Sequence, residues 1–116
     1  MKIKIFLSYG MRHRTENEMK EVEEQMKKEV TDLFSNDFDI EFVSNRSYES
    51  CETKRPRVDC LGEAIKKLAD VDAIYFEKSI DVNEHPGCLI EKEVSQKYNI
   101  PSVYELKDIL DLWTAR

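Results

Sequence analysis

The run Asp72-Ala73-Ile74-Tyr75-Phe76, a loop through Pro86, and then Gly87-Cys88-Leu89-Ile90-Glu91 read together as a buried strand feeding a helix. The apolar run is too short for a helix and is rich in strand-forming residues. The segment after it carries apolar residues at helical spacing. Similar strand–helix pairs recur along the chain. Residues 2–7 alternate charged and apolar side chains before closing on Phe6-Leu7, a strand pattern. Thr15-Glu16-Asn17-Glu18 has the spacing of a capping box, and Met19, Val22, Met26, Val30 and Leu33 then repeat at helical spacing toward Ser35-Asn36. A second strand is expected over 39–44.

Residues 45–58 are polar, contain Pro56 and show no period, so they read as a long loop. Asp59 is placed to cap a helix whose inner face is Leu61, Ala64, Ile65 and Leu68. The third helix is expected over 87–98 with Ile90, Val94 and Tyr98 inward, and Asn99 as its C-terminal cap ahead of Pro101. Ser102-Val103-Tyr104 reads as a fourth strand and 107–113 as a terminal helix. The expectation is one α/β domain over 1–116: a flavodoxin- or Rossmann-like three-layer sandwich with a mostly parallel sheet of about four strands, strand one near its centre. Three loops, 8–14, 45–57 and 77–87, then converge at the carboxyl edge of the sheet, where open α/β folds bind ligands.

Composition narrows the classes. The 116 residues are 41% hydrophobic and 36% charged, enough for one folded core. A net charge of −6 argues against nucleic acid as the main partner. No apolar run is long enough to cross a membrane, and no signal peptide is legible. Cys51, Cys60 and Cys88 are odd in number and fit reduced thiols, so a cytoplasmic location is expected. His85 and Cys88 lie three apart without a second pair at ligand spacing, so no metal is expected.

Glu91 is the residue with the most chemistry. Near a helix N-terminus a carboxylate is favoured in its ionised form, and at the carboxyl edge of the sheet it is a candidate nucleophile. The plainer reading is a partner for the helix dipole. Arg12, and Arg14 after it, are candidates to hold a phosphate beside the first helix. Arg46, Lys54, Arg55 and Arg57 give the middle loop a basic character.

Phe6-Leu7-Ser8-x-x-Met11-Arg12-x-x-Thr15, Leu61-Gly62-Glu63-Ala64-Ile65-Lys66-x-Leu68-Ala69, Asp72-Ala73-Ile74-Tyr75-Phe76 and Gly87-Cys88-x-Ile90-Glu91-x-Glu93-Val94, in this order, resemble the small nucleoside 2-deoxyribosyltransferase-like proteins. The resemblance spans most of the chain. It implies that Glu91 attacks the anomeric carbon of a nucleoside or nucleotide, with a second acid assisting the departing base; Asp81 is ranked first for that role, ahead of Asp72 and Glu84. Ser8, Tyr9, Gly10, Met11, Arg12, Gly87 and Cys88 would bind the substrate. No cofactor is implied, and a homo-oligomer is. Cys88 stands where the family has Thr, Lys92-Glu93 follow the nucleophile, and the first loop reads Ser-Tyr-Gly-Met-Arg, lacking the Ala-Gly-Pro of typical active transferases. These departures point to the alternative of a nucleotide-binding or signal-sequestering relative without turnover. More distantly, Ile5-Phe6-Leu7-Ser8-Tyr9 with Cys88 and Glu91 resembles TIR domains, which implies hydrolysis of NAD at the same glutamate.

Overall fold

Strand β1 (Lys2–Ser8) is the middle of a three-stranded parallel sheet, flanked by β2 (Asp39–Val43) and β3 (Ala73–Phe76) in the order β2-β1-β3. The computed structural model describes residues 2–11, 13–34, 38–44, 54–78 and 80–114. Ile5 lies opposite Phe42 on one side and Ala73 on the other; at the carboxyl end Ser8 lies opposite Phe76. The expected central place of the first strand is thus met.

Pleating sends alternate residues of β1 to opposite faces. Ile3, Ile5, Leu7 and Tyr9 pack with Met26, Val30 and Phe34 of α1 (Glu16–Phe34) and with Val103 of α4 (Val103–Thr114). Phe6 packs on the other face with Ile74 and with Ala64 and Leu68 of α2 (Pro56–Leu68), against which Val94 of α3 (Pro86–Lys97) also lies. The result is three layers, two helices on each face of the sheet. Each fully buried Ile, Leu or Phe side chain contributes roughly 1.5–3 kcal/mol, so the sheet's position is fixed by both cores at once.

Local signals account for most helix ends. At α1 the capping box forms: the Thr15 N–H donates to Glu18 Oε1 at 3.1 Å, and the Glu18 N–H donates to Thr15 Oγ1 at 3.2 Å. At the end of α3, Asn99 takes a left-handed conformation (φ 58°) and the Ile100 N–H reaches back to the Ser95 carbonyl at 2.8 Å, a Schellman-type stop.

Three expectations are corrected. The fourth strand is absent among the described residues: only Ser102 bridges to Ile74, and α4 begins at Val103. Ser102 is an N-cap, its Oγ accepting from the Glu105 N–H at 3.2 Å, so Ser102-x-x-Glu105 outweighs the strand propensity of Val103-Tyr104. Helix α2 starts at Pro56 rather than at Asp59, because proline suits the first helical position and Asp59 falls inside the first turn. The inner stripe of α3 is also different: Cys88, Glu91 and Ser95 are buried, Ile90 and Val94 are half-buried, and Tyr98 is 68% exposed.

Candidate active site

That inverted helix defines the site. α3 turns a polar stripe inward and leaves an aromatic ring in solvent, an arrangement that works against stability unless the polar groups have partners. Pro86 sets the first turn and His85, extended at φ −116°, is the N-cap. α3 then runs back along the α2/α3 face of the sheet, carrying Cys88 and Glu91 to the end of β1. There the Ser8 hydroxyl donates to Glu91 Oε1 at 3.0 Å, with Ser8 1% and Glu91 7% exposed.

The electrostatics reverse the expectation drawn from the helix terminus. Burial pushes the Glu91 carboxyl up to about 7, and the Ser8 hydrogen bond offsets only part of this. Glu91 stands in the second turn of α3, where the dipole's favourable field has faded. Glu93 is exposed and takes no part in the shift. Burial also lifts the Cys88 thiol to about 11; Glu91 and Glu77 raise it further, while Ser8 and Arg14 act in the opposite sense. Cys88 is therefore held as a protonated, slowly reacting thiol at neutral pH while it stays buried.

A second buried carboxylate, Glu77, follows β3 directly. Arg14 grips it with both guanidinium arms, at 2.6 Å and 2.7 Å, and also donates to the Gly10 carbonyl at 2.7 Å. The Gly10 N–H donates to Glu77 Oε1 at 3.3 Å, and the Glu77 N–H donates to the Ser8 carbonyl at 2.9 Å. His13, left-handed at φ 61°, sits in the turn that brings Arg14 round, with the Arg14 N–H donating to the Met11 carbonyl at 3.3 Å. Glu77 in turn raises the guanidinium's already high pKa. The loop after β1 is thus tied to the end of β3 by a charge-assisted fork.

The expected site residues divide accordingly. Ser8, Cys88 and Glu91 come together, and Gly10 lies beside them through the Glu77 fork. Tyr9 points to the opposite face, where its hydroxyl donates to the buried Glu23 at 2.7 Å. Met11 and Gly87 are exposed at the edge, and Arg12 lies outside the described residues. Arg14, a candidate for phosphate, is engaged by Glu77 instead. Asp81 is exposed, its carboxylate accepting from the Asn83 N–H at 3.0 Å within its own short turn. Asp72 is at the other end of the sheet, accepting from the Lys4 N–H at 2.8 Å, and Glu84 is exposed. Of the basic middle loop, Lys54 and Arg55 are exposed, Arg46 lies outside the described residues, and so does the Arg57 side chain.

Sequence reasoning missed Glu77, and weighed His85 only as an unmatched metal ligand beside Cys88. The signal for Glu77 was available: an acidic residue abutting a buried strand at the carboxyl edge of a parallel sheet. For His85 there was none, because its partner is Gly10, distant in sequence; a Cβ placed on Gly10 would fall 2.8 Å from the imidazole.

A cleft of about 400 Å³ opens on the α1 face, lined by Arg14, Glu77, Lys78, Met26 and Glu29 among others, and it does not include Glu91. Among the described residues no group of three or more His, Cys, Asp or Glu side chains is gathered for a metal, and no helix is long and apolar enough to cross a membrane. No known protein family, no curated protein and no solved structure matches the chain.

Proposed function

We propose that the protein acts on the N-glycosidic bond of a nucleoside or nucleotide, with Glu91 as the nucleophile. The observation that carries this reading is the buried Ser8–Glu91 pair at the carboxyl end of β1. Crossovers from this sheet leave on opposite faces, so the ends of β1 and β3 form the switch point at which such folds place ligands.

In the proposed reaction an oxygen of ionised Glu91 bonds to the anomeric carbon while the carbon–nitrogen bond breaks, its electron pair leaving with the base. A second base or water, giving up a proton to the departed base, then attacks the same carbon and returns the carboxylate. Ser8 holds one carboxyl oxygen in place and favours the charged form. The Glu77–Arg14 fork is a positioning element: it fixes Gly10 and the end of β1, and through them Ser8.

The decisive assay measures free base or sugar released from 2′-deoxynucleosides, nucleotides and NAD. Release that falls at least about a thousandfold in Glu91→Gln supports the reading. NAD as the preferred substrate favours the hydrolase version of the same chemistry.

A second reading, a nucleotide-binding protein without turnover, is favoured by the burial that raises the Glu91 carboxyl to about 7 and suits it to holding a proton and donating a hydrogen bond. Thermal stabilisation by a nucleotide with no bond cleavage would establish it. Tyr104, Ile109 and Leu112 are exposed on α4 and offer an apolar surface for a second copy, which light scattering tests through the molar mass in solution.

A further inference from the structure

None of the three glycines has positive φ, so Gly10 is not explained by backbone conformation. Close approach explains it. An added Cβ would lie 2.8 Å from His85 Cε1 and 3.0 Å from Nδ1, so the imidazole rests on the Gly10 backbone where any other residue would push it away. His85 makes no side-chain cap bond to its own helix, although it occupies the N-cap. Its ring instead reaches from the start of α3 to the loop after β1.

Its location matters. α3 runs inward from the carboxyl edge, and roughly 9 Å of rise separates His85 from Glu91. Side chains lean toward a helix N-terminus, so Cys88 and Glu91 lean toward the end of α3 where His85 stands. Ser8, Cys88 and Glu91 are almost wholly buried, while Gly87, next to His85, is exposed and a Cβ added there would meet nothing within 4 Å. Among the described residues Glu91 is only 7% exposed, so a ligand must displace a neighbour to reach its carboxyl group.

We propose that His85 is the gate of the Ser8–Cys88–Glu91 site, its imidazole closing the opening by resting on Gly10 and swinging off to admit a ligand. That the ligand carries a heterocyclic base rests on the reading above; the gate does not.

Cys88 reports the gate without any need for activity. In a Cys51→Ser/Cys60→Ser background, alkylation of Cys88 by iodoacetamide is followed by mass spectrometry, with circular dichroism confirming the fold. His85→Ala is expected to speed alkylation by about tenfold, as a local opening would. His85→Phe, which keeps a ring, retains the parent's slow rate. Gly10→Ala speeds it too, and adds nothing in the His85→Ala background because the atoms it would strike are gone. A His85→Ala rate within twofold of the parent overturns the gate, as does full additivity of the two substitutions. The two readings fail separately: a gated Cys88 with no base released leaves the gate standing and removes the glycosidic activity, whereas Glu91-dependent release with an ungated Cys88 does the reverse.

Discussion

Two carboxylates are buried at the same edge of the sheet, and they are treated in opposite ways. Glu77, on the α1 side, has a guanidinium fork on both oxygens and a backbone N–H besides. Glu91, on the α2/α3 side, has one serine hydroxyl, and burial lifts its pKa to about 7. A buried charge that is paired and hydrogen-bonded holds structure in place; one left with a single neutral partner stays able to gain or lose its proton in the physiological range. The first arrangement ties the loop after β1 to the end of β3; the second is the kind of environment that marks a candidate site.

The contrast is tested most severely by exchanging charge for amide. Glu91→Gln keeps the shape and the Ser8 contact, so the fold should survive while release of base drops at least about a thousandfold. Arg14→Met should act in the opposite sense, leaving Glu77 buried without its cation and lowering stability by about 3 kcal/mol in a urea melt. Replacing Glu77 as well, in Arg14→Met/Glu77→Gln, should recover part of that loss. If Arg14→Met costs no stability, the fork is not a structural element.

The pH dependence of stability separates the two carboxylates next. Glu91 titrates near 4.5 when unfolded and near 7 when folded. Below 4.5 both states hold the proton; between the two values only the folded state does; above 7 neither does. The contribution is therefore fully present in acid and is lost as pH rises through about 7. Relative to Glu91→Gln, the parent should lose about 3 kcal/mol between pH 4 and pH 8. Parallel stability curves for the two proteins would remove the claim that burial raises the Glu91 pKa. The smallest effect is expected for Ser8→Ala. Loss of a hydrogen bond that favours the charged form moves the pH midpoint of base release upward, an effect of about 1 kcal/mol or less.

Much of this was open to a reader of the sequence. Alternating patterns placed β1, the capping box at Thr15 placed α1, and Asn99 before Pro101 placed the end of α3. The misreadings have a common cause. In Ser102-Val103-Tyr104 strand propensity and a capping signal competed, and the helix was favoured because Leu106 and Leu110 could then reach the core beside Val103. In α3 the apolar residues suggested one inner face and the fold chose another, exposing Tyr98 to bury Cys88, Glu91 and Ser95. Asp81 stood in the right loop, but the acid that enters the site's network is Glu77, fixed by an arginine many residues away.

By itself the sequence determined the order of the first three strands and three helices, the central place of β1 and the prominence of Glu91, because periodicity and caps are local and act through neighbouring residues. Only the tertiary structure decided the protonation of Glu91, the pairing of Arg14 with Glu77 and the contact of His85 with Gly10. Burial and charge pairing depend on which distant side chains meet, and no local pattern encodes that.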